Sequence, residues 1–405
     1  MKVLNVHNNH AFPGGMEVLF GGIAKVLRDR GHDVIDLARN NSELNSLWSK
    51  LNAFGGAIYS PSTYRDVAAL LKQQNPRVAH VWNLYPQFST SALDAMYDAG
   101  VPVLMHVQDF KLTCPTAQHL RHGTICEKCI GGREYYAAIH NCRNSRAMST
   151  SYALRNIWAR VSGRLQRAVS MYVCPTKFVA DLIIRGGYPA DRVRVVPNFC
   201  DLPDVPPREH AGAYIGYIGR ISPEKGVDVL IEAARRTGLP TKIAGDPHLM
   251  THLVDSAPPN VQFVGGLKRE QIPAFLDGVR ALVVPSVWYE AFGIVCVEAL
   301  SRGIPVIAAD AGGLSEVIQH NETGLLVPMA DAAALGEAMQ RLWDDVDLTM
   351  RLGRRGYDVA RQRFTPDAFY REITAIWSEV MTPAPETLSG SAVAQTETTR
   401  QGIAS

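Results

Sequence analysis

The chain has 405 residues, of which 46% are apolar and 20% charged, and its formal net charge is +2. That length is too great for one ordinary core and suits two α/β domains of about 180 residues each. The near balance of charge argues neither for nor against a polyanionic partner, and no apolar run reaches the ~18 residues needed to cross a membrane.

Residues 2–7 are short and apolar and read as a first strand; the same opening is too short and too polar for a signal peptide. The chain is therefore expected in the cytoplasm, where its seven cysteines stay free thiols or metal ligands. A turn-rich loop follows, ending in Gly14 and Gly15. From Met16, apolar residues recur at Leu19, Ile23, Val26 and Leu27, a helical stripe that Gly31 closes. Further strands are predicted at 32–37, 78–82, 101–107, 171–174 and 193–196. Residues 135–180 hold no Asp or Glu but carry Arg143, Arg146, Arg155, Arg160, Arg164, Arg167 and Lys177 among Tyr152, Leu154, Ile157, Trp158, Val161 and Leu165. This reads as a basic amphipathic helix suited to anionic headgroups or a phosphate-linked acceptor, or as an ordinary helix with a solvated cationic face.

Residues 197–212 hold several prolines and no clear period, so the domain boundary is placed there. The pattern restarts with strands at 213–218, 241–244, 261–264, 281–284, 306–309 and 324–327, and with helices at 227–236 and 294–301. A last helix follows Pro366 to about Met381, and the polar tail 382–405 reads as disordered. Strands alternating with helices imply parallel sheets covered on both faces. The expected fold is α/β: two Rossmann-like domains, 1–198 and 199–365, facing a cleft, with the helix near 366–381 assigned to the first.

The strongest chemical signal is Pro285-Ser286-Val287-Trp288-Tyr289-Glu290-Ala291-Phe292-Gly293-Ile294, with Glu298 just over one turn into the helix that Ile294 begins. Helix-start amides favour a phosphate, and Gly293 lets the backbone approach it. Glu290 and Glu298 suit hydroxyls, one on a sugar and one on a ribose. A second loop, Gly219-Arg220-Ile221-Ser222-Pro223-Glu224-Lys225-Gly226, offers a planar fork and a point charge to one pyrophosphate. A third carries Gly312, Gly313 and Glu316, where Glu316 either serves the site or caps its helix.

At these residues the chain resembles the retaining family 4 glycosyltransferases of GT-B fold, of the bacterial polysaccharide-biosynthesis type, over roughly residues 1–380. The resemblance implies that Arg220 and Lys225 hold the diphosphate of a UDP- or GDP-sugar and that Glu290 contacts the transferred hexose. It assigns Glu298 to the ribose, and Gly14, Gly15, Gly219, Phe292, Gly293 and Ile294 to the donor's surroundings. The acceptor would be a saccharide or a polyprenyl-diphosphate-linked saccharide at the inner membrane face; no nucleic acid is expected. His106, Gln108 and Asp109 follow a strand and are acceptor or sugar candidates. Gln108 stands where many relatives carry a histidine, and His106 is alternatively a core residue.

Cys114, Cys126, Cys129 and Cys142, with one Cys-x-x-Cys, are candidate ligands of a structural zinc; the other reading is reduced thiols packing a loop. No carboxylate is an evident nucleophile, so front-face transfer with retention is expected. The only Asp-x-Asp, at Asp345 and Asp347, follows a helix, so no cofactor is expected to be required for transfer. The rival readings are a nucleotide-sugar epimerase of the same fold and a non-catalytic nucleotide-sugar-binding protein.

Overall fold

The computed structural model describes residues 1–9, 15–40 and 58–381. Gly14 and the tail 382–405 lie outside the described residues.

The first half contains β1 (Lys2–Asn9), β2 (Asp33–Asn40), β3 (Val78–Val81), β4 (Val103–His106), the short pair β5 (Leu120–Arg121) and β6 (Thr124–Ile125), β7 (Met171–Cys174) and β8 (Val193–Val195). Six of these form one sheet in the order β2-β1-β3-β4-β7-β8. The second half contains β9 (Tyr214–Ile218), β10 (Thr241–Ala244), β11 (Val261–Gly265), β12 (Val279–Val284), β13 (Val306–Ala309) and β14 (Gly324–Val327), ordered β11-β10-β9-β12-β13-β14. Every pairing within the two six-stranded sheets is parallel. β4 begins after Pro102, which has no N–H to give; its carbonyl instead accepts from Ala79.

Each sheet is buried on both faces, as alternate residues of one strand reveal. In β12, Ala281 and Val283 enter one apolar cluster while Leu282 and Val284 enter another. The closing helix Pro366–Met381 presents Phe369, Ile373, Ile376 and Trp377, a helical stripe, to Ile23 and Leu27 of the helix Gly15–Asp29 in the first half. The chain therefore crosses between the halves twice. The two crossings lie together, because the Cys200 amide donates to the Phe364 carbonyl at 3.1 Å. The proline-rich connection is also pinned: Tyr357 Oη donates to the Val205 carbonyl at 2.9 Å and Arg361 to that of Pro203 at 2.8 Å.

The cationic stretch is not one helix: it holds the helices Tyr136–Ile139, Arg146–Val161 and Arg164–Ala168, then β7 and the start of the helix Lys177–Arg185. Most of its charges are engaged by distant residues. Arg155 is buried, donating to the Pro115 carbonyl and the Asn156 side chain. Arg160 pairs with Glu134, and Arg164 and Arg167 both pair with Asp94, while Lys177 pairs with Asp181 one turn along its own helix. Leu154, Trp158 and Val161 stay exposed along one side of the longer helix, with Arg143 and Arg146 exposed near its start.

Candidate active site

The strand order of the second sheet reverses between β9 and β12, so the loops leaving their carboxyl ends diverge and open a crevice. Those loops are the two strongest motifs, 219–226 and 285–293. They are tightly joined: the Val287 amide donates to the Glu224 carbonyl at 3.0 Å. A Cβ on Gly226 would lie 2.1 Å from the Pro285 oxygen, at a φ of +65°, so only glycine permits this approach.

Lys225 Nζ lies 2.7 Å from Glu290 Oε1 and 5.1 Å from the centre of the Trp288 ring. The same oxygen accepts from Ser286 Oγ at 2.6 Å and from Trp288 Nε1 at 2.9 Å. Among the described residues no donor reaches Oε2. One oxygen thus anchors the carboxylate and the other is available to a ligand. Burial pushes the Glu290 carboxyl up, but Lys225 and the three donated bonds outweigh it and hold it below the usual glutamate range. The parts of Ser286 and Trp288 escape a reading of the motif, since spacing does not say which side chain a loop residue meets.

Arg220 lies on the same loop as Lys225, largely exposed, with Glu224 3.5 Å away. It does not touch Glu290. Gly219 donates its amide to the Ala244 carbonyl at 3.0 Å, so that N–H is spent on the sheet. Phe292 packs in the core, edge-on to Phe364 at 5.6 Å, so its side chain is not open to a ligand. Gly293 takes a left-handed φ of +83° and starts the helix Ile294–Leu300. The amides of Gly293 and Ile294 find no acceptor among the described residues, which leaves them for an anion. Glu298 lies in that helix; burial raises its carboxyl against the opposing influence of Arg269 and Arg302.

The third loop is stitched to the first. Gly313 donates its amide to the Glu290 carbonyl at 2.7 Å. Glu316 does not cap its own helix, Leu314–Val317; its carboxylate reaches into the first half and accepts from the start of the helix Lys177–Arg185. From the first half, Gly15 also meets this region: a Cβ there would lie 3.6 Å from Ile294 Cγ2.

The acceptor candidates divide. His106 is buried, stacked on Trp82 at 3.9 Å and bonded to His80 at 3.0 Å, which is the core reading of that residue. Gln108 exchanges amide bonds with Asn198 at 2.9 and 2.7 Å. Asp109 Oδ2 holds Lys111 Nζ at 2.5 Å, and Lys111 also reaches Asn83 Oδ1 at 3.2 Å. Gln108, Asp109, Lys111, Asn83 and Asn156 share the lining of one cavity of about 50 Å³ at the end of β3 and β4.

All four candidate zinc ligands are free thiols gathered in one corner. Burial pushes the Cys129 thiol up to about 12, and Cys114, Cys142 and Cys126 each add to that rise. Four neighbouring thiols are the donor set zinc takes. Among the described residues, however, no group of three or more His, Cys, Asp and Glu is arranged to hold an ion. Asp345 caps a helix by accepting from Leu348 at 2.8 Å, away from the crevice loops.

Two Rossmann-like halves with loops meeting at a crevice define the GT-B architecture. The family model described as "Glycosyl transferases group 1" matches residues 202–359, and that described as "Glycosyltransferase Family 4" matches residues 13–203. The chain belongs to the family 4 glycosyltransferases of GT-B fold, and is a glycosyltransferase. It is 26% identical over 398 residues to a glycogen synthase of Mycobacterium tuberculosis, covering 90% of this chain and 91% of the relative. It is 35% identical over 155 residues to the D-rhamnosyltransferase WbpZ of Pseudomonas aeruginosa, covering 37% and 41%. Among solved structures, a sucrose-phosphate synthase of Thermosynechococcus elongatus has a TM-score of 0.70 at 18% identity, covering 94% of this chain and 98% of that one. Anabaena Alr3699/HepE in complex with UDP has a TM-score of 0.67 at 20% identity, covering 94% and 100%.

Proposed function

We propose that this enzyme transfers a hexose-type sugar from a UDP- or GDP-sugar to a saccharide or lipid-linked saccharide, with retention at the anomeric carbon. The observation that carries the donor reading is the Glu290 carboxylate, held through one oxygen by Lys225, Ser286 and Trp288 with the other open. A sugar hydroxyl would donate to that open oxygen. Lys225 and Arg220 would meet the diphosphate, and the amides of Gly293 and Ile294 would add neutral donors. Glu298 would accept from the ribose. That a fold neighbour was solved with UDP supports a nucleotide donor here.

In this mechanism the acceptor attacks from the face the diphosphate leaves, and the departing phosphate oxygen takes the acceptor's proton. Charge builds on the diphosphate, where Arg220, Lys225 and the helix-start amides would stabilise it without a divalent ion. Docking of the two halves excludes water. Gln108, Asp109 and Lys111 would contact acceptor hydroxyls. Exposed Leu154, Trp158 and Val161, near Arg143 and Arg146, favour peripheral contact with an anionic inner leaflet from the cytoplasmic side. A structural zinc in the cysteine corner is part of the same proposal, the thiolates closing on the ion as it binds.

The deciding experiment is a panel of UDP- and GDP-sugars, scored by thermal stabilisation and by product. A transferase releases free UDP or GDP and passes the sugar to an acceptor, or to water as the free sugar. A stereoisomer of the donor would instead mark an epimerase, and binding with no product a sensor.

A further inference from the structure

The geometry points to Tyr289 as a positioning residue that ties the cysteine-bearing insertion of the first half to the sugar-contacting carboxylate of the second. Tyr289 precedes Glu290 in the donor loop, yet its ring leaves the second half. It lies 4.8 Å from the ring of Phe178 in an edge contact, with His119 at 6.1 Å and Phe110 at 6.4 Å. All three belong to the first half. Its hydroxyl donates to Glu127 Oε1 at 3.2 Å, and Glu127 stands between Cys126 and Lys128 in the insertion.

The polar groups of the socket are held by partners within the first half. Arg185 grips Glu127 Oε2 at 2.5 Å. His119 Nδ1 donates to the Cys126 carbonyl at 3.0 Å, which leaves Nε2 to accept from Thr113 Oγ1 at 2.8 Å. Every polar wall therefore has a partner of its own, and the aromatic walls are fixed by packing.

On the other side of Glu290, the Ala291 carbonyl accepts from Thr176 Oγ1 of the first half at 3.0 Å. Residues 289 and 291 are thus both anchored to the first half, while the side chain of residue 290 turns to Lys225 in the second. The backbone of Glu290 itself pairs within the second half, its amide donating to the Ala311 carbonyl at 3.3 Å and its carbonyl accepting from Gly313 at 2.7 Å, so the two flanking anchors tie this bonded segment to the first half. Withdrawing the Tyr289 ring frees one of the two anchors and lets the carboxylate shift. Displacements of about 1 Å at a reacting centre can cost on the order of 100-fold in rate.

This inference rests on Glu290 as the sugar-contacting group, so its test separates the two. UDP and GDP affinity is measured by titration calorimetry, and turnover is measured with the nucleotide sugar that the panel selects. Tyr289→Ala should keep the wild-type nucleotide affinity, since Arg220 and Glu298 have no bond to Glu290 and Lys225 is carried by the separate loop 219–226, while kcat falls by about 10-fold or more. Tyr289→Phe keeps the ring and loses only the bond to Glu127, so it should restore most of kcat. Wild-type kcat in Tyr289→Ala, or loss of nucleotide affinity in step with kcat, would overturn the positioning role. Equal loss in Tyr289→Phe and Tyr289→Ala would overturn the seating of the ring as its basis. A wild-type enzyme that binds neither nucleotide and turns over no nucleotide sugar would instead overturn the donor reading.

Discussion

Glu316 Oε1 accepts the Phe178 amide at 2.6 Å, while Oε2 accepts that of Lys177 at 2.7 Å. A carboxylate from one half thereby satisfies two of the unpaired N–H groups at a helix start in the other, and Thr176 satisfies a third by accepting from Val179 at 3.3 Å. Glu316→Ala should remove about 0.5–2 kcal/mol, the usual worth of such a cap. Glu316→Gln, which keeps one acceptor oxygen, should lose less. Urea midpoints of the three proteins check this, and identical midpoints would remove Glu316 from the contact between halves.

Lys225→Ala should lower turnover about 10²–10³-fold, as loss of one charge-stabilising group does, while the circular dichroism spectrum is unchanged. The pH profile should also move. In the folded enzyme Lys225 is one of the groups that hold the Glu290 carboxyl down, so that carboxylate contributes stability above its unfolded pKa and loses it as pH falls through the lowered folded value. Without Lys225 the carboxyl titrates higher, and the acid limb of the residual activity should shift to higher pH. A profile that superimposes on the wild type would argue against the pairing.

The core histidines predict a distinct acid sensitivity. Trp377 Nε1 donates to His80 Nε2 at 2.9 Å, so His80 Nδ1 carries the proton that bonds His106 Nε2. Burial lowers the His80 pKa to about 3 and, with the neighbouring His80, takes His106 well below 6.5. Below pH 6.5 the unfolded chain binds protons that the folded chain refuses. Stability is therefore fully present above that pH and falls toward acid, by about 1.4 kcal/mol per pH unit for each histidine. Chemical denaturation between pH 7 and 5 tests the slope; a flat response would place solvent or a counter-charge beside this pair.

For metals, two measurements act together. Brief exposure to EDTA should leave turnover intact, and inhibition reversed by Mg²⁺ or Mn²⁺ would contradict transfer driven by Arg220, Lys225 and amides alone. Elemental analysis of the purified protein should find zinc at about one per chain, as a four-thiolate site requires. Its absence would leave Cys114, Cys126, Cys129 and Cys142 as packed thiols.

Contact with lipid is tested by co-sedimentation. Vesicles of phosphatidylglycerol should bind the protein and phosphatidylcholine vesicles should not, with Trp158→Ser weakening the difference. Equal, weak recovery with both would leave the exposed apolar side of the helix Arg146–Val161 without a membrane role.

Strand positions were legible because strands of a parallel sheet are buried on both faces and stand out as short apolar runs. β7, β10, β13 and β14 lie at the residues expected from that pattern. The donor loops were legible for a related reason, since glycines and charges interrupt the pattern just past a strand. Pairings across the fold left no local trace. Nothing near Arg164 or Arg167 announces Asp94, so a stretch rich in cations looked freer than it is. His106 shares its sheet face with polar neighbours, and only Trp82 and His80 reveal that it is enclosed. Glu316 and Tyr289 sit in motifs of one half and act on the other, which spacing within one segment cannot express.

The paired passages at Cys200 and Phe364 limit how the enzyme can open. One tether would let the lobes swivel freely, whereas two strands of chain bonded side by side behave like the pins of a door. Any parting of the halves must break the bond of Tyr289 to Glu127 and that of Glu316 to the Phe178 amide, since each joins one half to the other.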